Sequence, residues 1–193
     1  MKRIIFALFL LSAVFLQAQS VNQLIEKQFL AYNKLIIDRK IDEALNYTNP
    51  DMFKLVPRGQ MLASMESIFN NPQIEYRTLM PTVSGFEPVK KINGKNYVRF
   101  KSQSVVEMKL NAATKPATAE EAMVAKEAMQ VGLEQKFGKE NVSFDEKTGF
   151  YRLRSTKTVV ASSENLEDWK FLVIDSPQVK PMLAAIIPAE LLD

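Results

Sequence analysis

Three acid pairs, Asp42/Glu43, Glu120/Glu121 and Asp145/Glu146, set carboxylates side by side, the arrangement that general acid–base chemistry can use. Each pair falls at a helix start or a turn, where acids favour the helix dipole or are simply solvated, so all three read as structural. The chain has no histidine and no cysteine. That removes the commonest general base and metal ligand, and with them a Ser-His-Asp triad and the usual zinc and copper sites. No G-x-S-x-G elbow and no S-x-x-K pair occurs, and the six glycines form no phosphate-cradling loop. No cofactor and no metal is expected.

What remains is a set of residues that could line a pocket. Segment 96–110 alternates, with Val98, Phe100, Ser102, Ser104, Val106 and Met108 on its apolar face. Ser102 and Ser104 are the odd members of that face. Either they line a cavity, or they sit under a large neighbour such as Phe69 or Trp169. The candidate lining is Tyr32, Phe100, Ser102, Ser104 and Trp169. In segment 150–161 the apolar face carries Lys157, which needs a partner if it points inward or snorkels if it lies near the sheet edge. Arg99, Lys101, Arg152 and Arg154 read as the solvated outer face, matched in part by Glu75 and Glu107. This basic stripe lacks the interleaved aromatics that single-stranded nucleic acid requires, so no nucleic-acid partner is expected.

The elements that must position these residues follow from periodicity. Ser20-Val21-Asn22-Gln23 has the form of a capping box. Behind it Ile25, Phe29, Tyr32 and Ile36 recur at helical spacing to about Arg39. A short second helix is expected in 40–50, ended by Pro50, then a short strand in "DMFKLV". A third helix opens at Pro57 and carries Met61, Met65 and Phe69. From residue 73 the period changes to two. Strands are expected over 73–89, with Pro81 and Gly85 marking a bend, and over 96–110, 148–163 and 167–175. Asn93-Gly94 forms a hairpin turn. A helical insertion at about 111–147 starts at a Thr118/Glu121 capping box, ladders through Met129, Leu133 and Phe137, and stops at Gly138. The tail, 176–193, places Met182, Leu183, Ile186, Ile187, Leu191 and Leu192 after the last strand. It must pack on its own domain or on another chain.

Residues 1–18 read as a signal peptide. Lys2 and Arg3 precede an apolar run over 4–16, and a polar exit, Gln17-Ala18-Gln19, follows. The run is shorter than the ~20 residues a membrane span needs. Without a cysteine after it, lipid anchoring is excluded. The Gln-Ala-Gln exit is bacterial in style, so the expected location is periplasmic or secreted. Losing Lys2 and Arg3 takes the formal net charge from +3 to about +1, so no nucleic-acid partner follows from the charge. Residues 19–193 are expected to form a single α+β domain with no transmembrane segment.

The element order, N-terminal helices followed by long antiparallel strands, resembles the nuclear transport factor 2-like superfamily. The stretches that carry the resemblance are "FLAYNKLIIDRKIDEALNYTNPDMF" and "DWKFLVID", over 20–110 and 148–175. The resemblance implies a curved, cone-like sheet around a pocket roofed by helices. Ketosteroid isomerases of that superfamily use a Tyr on the first helix and an Asp before a Pro. Tyr32 falls at the Tyr position, but Val56 precedes Pro57, so that proton-abstraction route is not implied here. The resulting expectation is an exported, non-catalytic domain binding a small apolar ligand or an envelope protein partner, a homodimer being compatible. The competing readings are a His-free lyase or isomerase and a structural protein of the cell envelope.

Overall fold

The computed structural model describes residues 2–111, 118–174 and 176–192; the side chains of 1–19 and of Ala119 lie outside that description. Among the described residues the protein is α+β, with six α-helices and an open seven-stranded antiparallel sheet. α1 (Lys2–Ile37) is one continuous helix, so Ser20 lies within it and does not cap it. The expected box fails because the preceding apolar residues are themselves helical and leave no exposed first turn for Ser20 to satisfy. Arg39, at φ 62°, ends the helix in the left-handed conformation.

α2 (Ile41–Ala44) follows at once and buries Ile41 and Ala44. Met52–Leu55, expected as a strand, is a single helical turn, α3. The cause is the preceding Asn49. Its side chain takes the N–H of Asp51 at 3.0 Å, and its carbonyl takes that of Met52 at 3.0 Å. Pro57 sits at the N-cap of α4 (Arg58–Phe69), one position before its expected place.

The sheet is built on two long strands, β4 (Lys95–Leu110) and β6 (Phe150–Ser163), paired along thirteen residues from Asn96↔Ser163 to Met108↔Tyr151. On the far side of β4 lie β1 (Ile74–Thr78), β2 (Thr82–Ser84) and β3 (Lys90–Ile92). Asn93 and Gly94 take positive φ in the hairpin joining β3 to β4. On the far side of β6 lie β5 (Val142–Asp145) and β7 (Lys170–Ile174).

Three hydrophobic clusters hold the sheet. α1 lays Ile25 and Phe29 on Val98, Phe100, Val159 and Ala161, with Trp169 and Phe171 closing the group. Phe29 meets Phe100 and Phe171 edge-on at 5.0 and 5.1 Å. Further along the same face, α5 (Ala119–Phe137) places Met129, Leu133 and Phe137 over Met108, Tyr151 and Leu153. The Thr118/Glu121 box closes in both directions, at 3.1 and 3.3 Å. Gly138, at φ 87°, ends the helix.

The opposite face was expected to be solvated, yet at one end it is a core. Tyr97, Val160, Leu172 and Ile174 are covered by Leu183, Ile187, Leu191 and Leu192 of the tail and flanked by Met52 and Leu55 of α3. The tail therefore packs on its own domain. Pro177, Pro181 and Pro188 divide it into single turns, 177–179, α6 (Lys180–Leu183) and 189–191. Arg99, expected on the solvated stripe, is mostly buried and faces Glu87 at 3.5 Å. Among the described residues no helix is long and apolar enough to cross a membrane.

Candidate functional site

The five residues expected to line a pocket lie along one side of the sheet. Phe100 and Trp169 are fully buried in the cluster under α1. The Trp169 Nε1–H donates to the Leu166 carbonyl at 3.1 Å, and its backbone N–H donates to Gln28 Oε1 at 2.9 Å. Gln28 in turn donates from Nε2 to the Glu167 carbonyl at 2.6 Å, so one helix side chain clamps the loop that carries the tryptophan. Tyr32 packs at the margin of the same cluster, its ring 6.0 Å from Phe29 and 6.1 Å from Phe171. Ser102 is buried beside Phe100, and the Ser104 hydroxyl bonds that of Ser155 across the strands at 2.9 Å. Phe29 and Phe171 pack with Tyr32, Phe100 and Trp169 in that cluster. Among the described residues the buried Asn49, Asn96, Ser102, Ser162 and Ser163 do not titrate, and the buried titratable hydroxyls are those of Tyr97 and Tyr151.

The larger opening is elsewhere, on the outer edge of β6. β5 pairs with β6 as far as Leu153, and β7 resumes at Thr158. Between them Arg154, Ser155, Thr156 and Lys157 have no strand on their outer side, a gap of about 13 Å at ~3.3 Å per residue. The direction of the backbone groups follows from β4. There the Arg99 and Val105 carbonyls accept from Glu87 and Leu79, on the side away from β6. In an antiparallel ladder alternate residues point to alternate sides. Even-numbered β4 residues therefore face β6, and their partners Ser155 and Lys157 face back. Arg154 and Thr156 consequently turn their N–H and C=O groups outward into the gap. Arg154 stands at the end of the β5 pairing, and Thr156 lies in the open run, where no loop backbone among the described residues reaches it.

A cavity of about 700 Å³ opens at this notch. The end of α5 and the turn after it contribute Lys136, Phe137 and Asn141; β6 contributes residues 154–157; the start of the tail contributes Ser176 and Gln178. Among the described residues these walls carry three cations, five neutral polar side chains, one aromatic and no carboxylate. Among the described residues neither Lys136 nor Arg154 forms an ion pair, the nearby bridges being Arg152–Glu107 at 3.5 Å and Lys126–Glu146. The notch therefore combines outward hydrogen-bonding groups with positive charge. Behind it burial, then the nearby Glu146, pushes the Tyr151 hydroxyl above its ordinary value. It stays protonated and donates to the Lys126 carbonyl at 2.9 Å, fixing α5 as one wall.

Such an arrangement can hold an extended chain or an anion. Among the described residues no three of His, Cys, Asp and Glu gather where a metal could bind. By alternation Arg154 falls on the solvated stripe and Lys157 points inward or lies at the sheet edge, with no neighbouring site indicated. The available signal was strand length: a fourteen-residue β6 cannot be covered by neighbours of four and five residues. Compared with known proteins, the chain matches no family model, no curated protein and no solved structure.

Proposed function

We propose that the protein is an exported, non-catalytic domain that docks a protein partner at the outer edge of β6. The observation that carries the reading is the uncovered run 154–157, where an added strand would complete the sheet. The cluster around Phe100 and Trp169 is filled, which favours a protein partner over a small apolar ligand among the two classes the sequence suggests. Export rests on the charged, apolar and polar order of residues 1–19. It predicts that the exported protein begins between residues 18 and 21, and N-terminal sequencing that returns Met1 from the exported fraction would overturn it. The cone-like curvature belongs to the same proposal and rests on element order alone.

A photo-crosslinking residue at position 156 tests the docking edge in the host envelope, with position 66 on the exposed side of α4 as control. Discrete protein adducts at 156 and none at 66 are expected. Equal labelling at both positions, or no adduct at 156 together with a co-purifying small molecule in native mass spectrometry, would refute the reading.

A further inference from the structure

We infer that the notch on β6 recognises the carboxy-terminal end of a partner chain, held as a short extended segment with its terminal carboxylate between Lys136 and Arg154. The inference rests on the reading of this edge as the docking surface and narrows it to one kind of ligand. Three observations carry it. The first is the outward backbone of the open run, the Arg154 C=O and the Thr156 N–H and C=O, which an added strand can pair.

The second is that the gap is closed at both ends. β5 begins opposite Leu153 and β7 ends opposite Thr158, in line with the path an added strand would take. A long strand cannot run through a four-residue opening without displacing one of them. A chain that stops inside it meets no such obstacle.

The third is charge. Lys136 comes from the last turn of α5 and Arg154 from the strand itself, and neither has a carboxylate partner among the described residues. A guanidinium takes a carboxylate through two parallel N–H donors. An amino terminus or a basic segment would meet repulsion at the same place. Asn141, Ser176 and Gln178 add neutral donors and acceptors on the remaining walls without imposing a side-chain sequence. The notch is thus selective for chain end and backbone shape, and tolerant of residue type.

The test uses the exported protein, isotope-labelled, with two pools of short random peptides matched to the gap. Both pools are acetylated at the amino end; one has free carboxy-termini and the other is amidated. The expected result is that the free pool shifts the Arg154 and Thr156 amide resonances and the amidated pool binds at least tenfold more weakly. Thr156→Pro removes one donor and should weaken the free pool by roughly tenfold. Arg154→Gln should erase the difference between the pools while both still perturb Thr156. Unchanged circular dichroism of each variant shows that the fold is retained, and the second variant carries the test if the first does not fold. Equal binding of both pools at these amides overturns terminal recognition and leaves strand docking standing. Binding of neither pool, with the crosslink at 156 still formed, overturns the inference alone. Loss of both results removes the docking edge as well.

Discussion

The two outer edges of the central strand pair are treated very differently. β4 is covered along nearly its whole length by three short strands, and the spaces between them are closed by loop backbone, Leu79 N–H to the Val105 carbonyl at 3.0 Å and Glu87 N–H to the Arg99 carbonyl at 2.8 Å. β6 has two short strands and a gap, and no loop reaches across it among the described residues. An edge left open invites pairing with other chains, and proteins normally blunt it. Here the covered edge shows that this chain can close a gap with a single loop N–H. The opening flanked by Lys136 and Arg154 is the feature on which the proposed docking rests.

The largest test of this contrast removes what supports the open edge. Deleting 178–193 strips Leu183, Ile187, Leu191 and Leu192 from the sheet, each contributing about 1.5–3 kcal/mol when buried. The sum rivals the net stability of a domain. The truncated protein is expected to be insoluble or to melt far below the full chain. A soluble product with unchanged melting would show that the tail does not hold the β7 flank.

Next in size is Asn49→Ala. Asn49 is buried, donates from Nδ2 to Ser162 Oγ at 3.2 Å, and sends its backbone N–H to the Phe171 carbonyl at 2.9 Å. Removing the side chain strands the Asp51 N–H and loosens α3. A loss of roughly 1–3 kcal/mol is expected from urea unfolding.

The two edges can then be compared directly with proline. Leu79→Pro deletes the N–H that closes the β4 side and should cost about 1–2 kcal/mol. Thr156→Pro deletes one that bonds only solvent and should cost less than ~0.5 kcal/mol. Equal costs would show that the β6 edge is paired in solution. Amide exchange gives the same contrast without mutation: Thr156 should exchange fast, Ser155 and Lys157 slowly.

The smallest effect concerns acid. Lys54, then Lys95, hold the Asp51 carboxyl below its ordinary value, against a contribution from burial that raises it. A depressed carboxylate contributes stability above its unfolded value near 3.8, and the contribution is lost as pH falls through the lower folded value. The ion pairs are partly solvated, at 2.6 Å to Lys54 and 3.6 Å to Lys95, so the loss is about 0.5 kcal/mol or less. Asp51→Asn should flatten the acid limb of stability between about pH 5 and 3. A steeper limb in the variant would mean that the pairs do not form.

Much of the scaffold was legible in the residues. The Thr118/Glu121 box, the Gly138 stop, the Asn93-Gly94 turn and the two long strands are written in local chemistry, with both partners close in sequence. Met52–Leu55 was not, because alternation and helical spacing cannot be told apart over so few residues, and distant Phe171 and Ser162 hold the Asn49 that starts the turn. Nor does alternation reveal the cover of Tyr97, which lies on the same face as Arg99 and Lys101, because it comes from residues nearly a hundred positions later. The open edge was invisible to periodicity, which describes a strand's two faces and says nothing of its sides.

The hydroxyl pair Ser104/Ser155, with Ser102 and Lys157 beside it, lies between the cluster under α1 and the cluster under α5 on one sheet face. Few apolar contacts can cross such a belt, so the two ends need not come apart together. The insertion helix with β5 is expected to melt as its own cooperative unit, ahead of the α1 end, giving heat unfolding two steps and not one.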